Sequence, residues 1–209
     1  MFRYKAFSNS IFTGIFFSVV TEQGIRVVDI GCGPGSYTNV LAARFPNSTF
    51  TGLEYAKRGV EMANKDKDVR GLTNINFVLG DAHDLPKEWA ESFDMVFVYD
   101  VLHDLPNPHK ALKEIYKVLK KDGCFSCIDI GYHSDPIDNK DDHGAAMYYT
   151  ASIFICLASS MTEEPHVGYG ACWGKEEIQK ALEGANLKIG GQDALSIVGN
   201  KCFWFCTKG

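Results

Sequence analysis

The residues that could do chemistry gather first in VVDIGCGPG, residues 27–35. An apolar run ends at Ile30, and three glycines follow at Gly31, Gly33 and Gly35. Glycines permit a tight turn and let a ligand approach bare backbone. A helix opening near Ser36 would add free N–H groups for an electron-rich ligand. The third glycine comes one residue too early for the dinucleotide fingerprint, whose last glycine position holds Ser36. Asp29, two residues before the first glycine, would repel a pyrophosphate and pair with a cationic ligand end. No Gly-Lys-Ser/Thr follows, which excludes a phosphate-binding P-loop. The turn therefore suits a ligand with an amino group and no phosphates. Two more acids follow at the ends of apolar runs. Glu54 could accept both hydroxyls of a ribose. Asp81, beside Ala82, could accept from an adenine amino group.

These positions need a scaffold. Strands are expected over 25–30, 49–53, 75–79, 93–99 and 125–130. Helices are expected over 36–45, 55–66, 108–120 and 175–184, with Asp122-Gly123 turning the chain before the fifth strand. Runs 187–189 and 202–207 have no helix between them and should pair as a hairpin. Such alternation argues an α/β fold, a parallel sheet with helices on both faces and one antiparallel strand at its end. Ligands in such sheets bind beyond the carboxyl ends of the strands, which is where the three acids fall.

At 209 residues, 45% hydrophobic and 22% charged, the chain suits one globular domain. A net charge of -5 disfavours nucleic acid as a partner. Most of the seven cysteines sit in apolar runs and read as small buried hydrophobes. Cys124 and Cys127 have C-x-x-C spacing but no matching second pair, so no metal site is expected. Reduced thiols favour a cytoplasmic setting. The apolar stretch 11–20 follows Arg3 and Lys5 like a signal peptide, but no small-x-small cleavage site follows. A second uncharged run, 145–161, has acidic ends and is short for a span. It reads as a buried helix, and no membrane partner is expected.

Taken together, VVDIGCGPG, TGLEYA, LGDAHDLP and FDMVFVYDVLHDLPNPHKALKEIYKVLKKDG resemble four motifs of the S-adenosylmethionine-dependent methyltransferases of the seven-stranded, Rossmann-like class. The resemblance covers about 24–209. It implies a three-layer αβα sandwich whose seven-stranded, mostly parallel sheet closes on an antiparallel hairpin. It implies S-adenosyl-L-methionine as cofactor. Asp29, Gly31, Cys32, Gly33 and Gly35 would hold the methionine part, Glu54 and Tyr55 the ribose, and Asp81 and Ala82 the adenine. Tyr99 and Asp100 would lie beside the sulfonium. DVLHDLPNP, DDHGAAMYYTASIF and GYGACWG are similar to a bacterial-type subgroup often built with an upstream winged helix. Here residues 1–23 are expected to form a helical extension instead.

Methyl transfer needs position more than a catalytic residue, and a base only if the acceptor must lose a proton. His103, with Asp104 beside it, and His133 are the candidates. Segment 131–174 is too long for a plain connection and is expected to be a helical lid. His143, Tyr148, Tyr149 and Trp173 within it suggest a small, partly apolar or aromatic acceptor. A homodimer stays open. The alternatives are a non-catalytic module binding the same cofactor or a partner, and a dinucleotide oxidoreductase, which Ser36 and Asp29 disfavour.

Overall fold

The computed structural model describes residues 24–195 and 200–208. The expected extension over 1–23 lies outside them. Seven strands hydrogen-bond in the order β3-β2-β1-β4-β5-β7-β6. They are β1 (Arg26–Ile30), β2 (Thr49–Glu54), β3 (Ile75–Leu79), β4 (Phe93–Tyr99), β5 (Leu119–Ile130), β6 (Leu187–Leu195) and β7 (Lys201–Lys208). Pairs β1–β2, β2–β3 and β1–β4 are parallel, and β6–β7 is antiparallel. That is the expected α/β fold with its closing hairpin. By contact density the chain forms two compact units, one of residues up to 97 with 117–125, the other of 98–116 with 126 onward.

In the first unit, Val27, Val28 and Ile30 are buried on both faces of β1, which suits a strand flanked on each side. Helix α1 (Ser36–Arg44) buries Thr38, Asn39 and Ala42. Asn39 donates to the Ala63 carbonyl and to Asp66 on helix α2 (Lys57–Arg70), so a polar residue ties the two helices. Helix α2 starts two residues later than expected and ends four later. The Glu54 carboxylate takes the Ala56 N–H at the start, and Gly71 caps the far end with a φ of 66°.

Helix α3 (Pro108–Val118) buries Ala111, Leu112, Ile115 and Val118 as one stripe. The expected turn at Asp122-Gly123 is present as a sharp bend, but it lies within the span of β5 rather than before it. Strand β5 already begins at Leu119 and runs through both residues. A Cβ at Gly123 would stand 3.0 Å from the Lys120 carbonyl oxygen, so the strand bends sharply there. Helix α6 (Lys175–Gly184) matches its expectation, with Ile178, Ala181 and Leu182 buried.

The run 145–161 is a correction. It forms helix α4 (His143–Phe154) and a single turn, α5 (Cys156–Ser159), broken at Ile155. Within α4 the buried residues are the small Ala145 and Ser152, while Met147 and Phe154 are 63% and 77% exposed. The helix is apolar all round, so composition does not reveal which face turns inward. Among the described residues no helix is long and apolar enough to cross a membrane.

Cys124, Cys127, Cys202 and Cys206 are buried, as expected of apolar runs. Burial pushes the Cys124 thiol up to about 12, so it is no thiolate at neutral pH.

Candidate functional site

In the first unit, the glycine turn is held from behind. Gly31 and Cys32 donate their amides to the Leu53 carbonyl at 2.8 and 3.1 Å. Gly33 has a φ of 55° and nothing within 4 Å of where a Cβ would stand. Its amide donates to Glu54 Oε2 at 2.8 Å, while Oε1 accepts from Ala56 at 2.8 Å. Glu54 is thus fixed by two backbone donors, one from the glycine turn and one from the start of helix α2. Each oxygen keeps a lone pair for a ligand hydroxyl. Gly35, at a φ of 73°, caps helix α1 and packs against Ala63 and Phe77.

Asp29 is buried, and its Oδ2 accepts from the Thr38 hydroxyl at 2.5 Å. Burial pushes its carboxyl up to about 7, against the Thr38 hydrogen bond and with help from Glu54. A cation delivered to this carboxylate would hold it ionised. Burial likewise raises the Cys32 thiol above its ordinary value, with Asp29 and Glu54 adding.

Asp81 is no loose loop acid. Its Oδ1 accepts the His83 amide at 2.8 Å and meets the His83 ring at 2.7 Å. Ala82 is buried beside them. Tyr55, by contrast, is 67% exposed.

In the second unit, Asp100 follows β4 with a φ of 54°. Its amide donates to the Ile128 carbonyl at 2.9 Å. Lys201 donates to both its carboxylate oxygens, at 2.5 and 2.6 Å. The same ammonium lies 6.0 Å from the Tyr99 ring and 5.8 Å from the Tyr148 ring. Sequence reasoning named Tyr99, Asp100 and Tyr148 but missed the lysine that gathers them. Burial raises the Asp100 carboxyl, and Lys201 works against that.

His103 is 3% exposed, with Nδ1 at 2.6 Å from Asp129 Oδ1. Burial opposes a charge on this ring, but the Asp129 carboxylate outweighs it, with Cys156 and Asp104 adding. The imidazole is raised above its ordinary value. Asp129 lies inside the apolar run of β5 and gave no sequence signal as a partner. His133 meets Glu176 at 2.7 Å through Nδ1 and Lys175 at 3.1 Å through Nε2. Burial would raise the Glu176 carboxyl, but the Ser134 amide, its own amide and His133 pull it down to about 2.

The expected acceptor residues disperse. Tyr148 joins Lys201 and meets Tyr132 edge-on at 5.4 Å. The Tyr149 hydroxyl accepts from Asn139 at 3.0 Å. Trp173 is buried, stacked on Tyr169 at 4.4 Å. His143 is exposed at the first position of α4. A cavity of about 530 Å³ in this unit is lined by Tyr132, His133, Asn139, Lys175 and Lys201, among others.

Comparison with known proteins supports one family. A family model described as a methyltransferase domain matches residues 21–186. A demethylmenaquinone methyltransferase of Staphylococcus aureus is 30% identical over 168 residues, covering 78% of this chain and 68% of that one. A SAM-dependent methyltransferase structure from Aquifex aeolicus shares the fold at a TM-score of 0.67 and 16% identity, over 93% of this chain and 88% of that one. The [4+2]-cyclase SpnF shares it at 0.69 and 18% identity, over 93% and 78%. The matched span takes in the glycine turn, Glu54, Asp81 and the β4 end, and the strand order is that of a seven-stranded, Rossmann-like sheet. The chain belongs to the methyltransferase-domain family, with the class I fold.

Proposed function

We propose that this methyltransferase moves a methyl group to a small-molecule acceptor that is partly apolar, using the first unit's glycine turn to hold the donor. The donor is S-adenosylmethionine, which supplies a sulfonium methyl for in-line displacement. The observation that carries the reading is the Glu54–Gly33 lock, a fixed carboxylate beside open backbone. The open space at Gly33 admits a ligand where a side chain would block it. Asp29 is partnered by a hydroxyl rather than a cation, which fits a ligand ammonium. Asp81, oriented by His83, is a ready acceptor for an exocyclic amine.

Glu54→Ala should weaken cofactor binding by about 2 kcal/mol, the middle of the range for a charged hydrogen-bonding group. Calorimetric titration with the demethylated product checks this. An unchanged affinity would remove Glu54 from the site.

Asp29 adds a pH test. Its carboxyl sits near 7, and the ionised form attracts the ligand's ammonium. Affinity should therefore rise with pH through that value, by about tenfold per unit below it, and level off above. Binding should release a proton on the acid side. Asp29→Asn should flatten the profile. A wild-type profile already flat from pH 5.5 to 8 would contradict this role.

On the acceptor side, His133 is the proposed base for acceptors that must lose a proton. Its contacts fit the neutral tautomer with the proton on Nδ1, toward Glu176, and Nε2 unprotonated. His133 lines the cavity, whereas the His103 ring is held by Asp129. The Tyr132 ring lines the cavity and supports a ring-bearing, partly apolar acceptor, in keeping with a quinone-named relative. Segment 131–174, carrying α4 and α5, is proposed as its lid. Buried thiols outside any disulfide, such as Cys124 and Cys127, support a reducing, cytoplasmic setting.

A further inference from the structure

The folded chain brings together a nitrogen, an oxygen and a sulfur that no sequence spacing connects. They belong to His103, Asp104 and Cys156, whose ligand atoms lie mutually within 4.8 Å. His103 and Asp104 lie on the turn after β4, and Cys156 opens α5. We infer that these three groups form a binding site for a divalent transition-metal ion of zinc type, with the fourth position open.

Several features support it. The His103 Nε2–Asp104 Oδ1 separation is 3.4 Å. Two ligands about 2.1 Å from a tetrahedral zinc stand roughly 3.4 Å apart. Asp104 Oδ1 is buried and makes no close hydrogen bond; the carboxylate is held by the His103 ring at 3.4 Å and the Cys156 thiol, the same two groups that would share the ion. A buried acceptor of that kind calls for a partner, and a cation supplies one. His103 Nδ1 faces the fully buried Asp129 at 2.6 Å. A carboxylate behind the imidazole, on the nitrogen away from the metal, is the arrangement that orients metal-bound histidines.

The ligand set also selects the ion. A thiolate with an imidazole and one carboxylate suits zinc or cobalt and not magnesium or calcium, which take oxygen. A second cluster, Asp100, His103 and Asp129, is a weaker candidate because Lys201 occupies both Asp100 oxygens. The Asp104 side chain is 38% exposed, which gives the ion a route in from solvent. On binding, Cys156 loses its thiol proton and His103 the proton on Nε2, both to solvent, and three metal–ligand bonds form. The ion would pin the turn after β4 to α5.

The test needs neither cofactor nor acceptor, so it stands apart from the methyl-transfer reading. The full chain is stripped with a chelator and titrated with cobalt(II), then with zinc to displace it. One equivalent of cobalt should bind, with near-ultraviolet thiolate-to-metal absorption and visible bands of a tetrahedral site. Cys156→Ser should lose the thiolate absorption. Asp104→Asn, at a partly exposed position, should keep it while weakening affinity by at least about tenfold. Proton release in the wild type should fall in Cys156→Ser. Failure of the wild type to give the thiolate band, or its persistence unchanged in Cys156→Ser, overturns the site. Full affinity in a folded Asp104→Asn does so as well.

Discussion

Gly35→Val is expected to destabilise the fold by about 4 kcal/mol. Two costs add at this position. The residue is left-handed at a φ of 73°, which costs a side-chain-bearing residue about 1–2 kcal/mol. A Cβ there would also meet Ala63 Cβ and Phe77 Cζ, each at 2.7 Å. Both neighbours belong to the packed interior of the first unit, and overpacking of this kind costs about 1–3 kcal/mol. The branched valine sits in the upper half of both ranges. Gly35→Ala should cost less, because it adds the strain and the first clash without the branches. Urea unfolding of the two variants measures the difference. A midpoint unchanged by valine would mean that the glycine is not packed as described.

Lys201→Met should cost about 3 kcal/mol. It removes the ammonium that both Asp100 oxygens accept from and leaves a desolvated carboxylate behind. Breaking one side of a buried pair costs about 3–5 kcal/mol. Asp100 is 31% exposed, so water recovers part of the loss and the lower end applies. The double variant Lys201→Met with Asp100→Asn should be more stable than Lys201→Met alone, since no charge is then stranded. Equal stability of single and double variants would show that the pair carries no coupling. Asp100 stands at the end of β4 with a φ of 54°, so loss of Lys201 should also loosen that turn.

The glycine turn and its acids were legible because their signals are local. A run of apolar residues, a glycine and an acid can be read within a few positions: Asp29 stands one residue before the end of such a run, and Glu54 and Asp81 end or follow one. Their partners were not legible. Lys201 reaches Asp100 across 101 residues, and Asp129 reaches His103 across 26. Asp129 was further hidden in β5, where residues on both faces are buried and an acid looks like an interruption. Glu176 and Lys175 open an ordinary amphipathic helix, so their hold on His133 shows first in three dimensions. The helix at 143–154 misled because it is apolar all round. Periodicity tells which face is buried, and here there was none to read.

The glycine turn and Glu54 are proposed to hold S-adenosylmethionine. Calorimetric titration of the wild-type chain at pH 7.5 with S-adenosylmethionine, with its demethylated product and separately with NAD, tests this most directly. The first two should bind one-to-one, with both affinities lost in Glu54→Ala combined with Asp29→Asn, and NAD should not bind. Binding of NAD alone, or no heat with any of the three, would contradict this proposal.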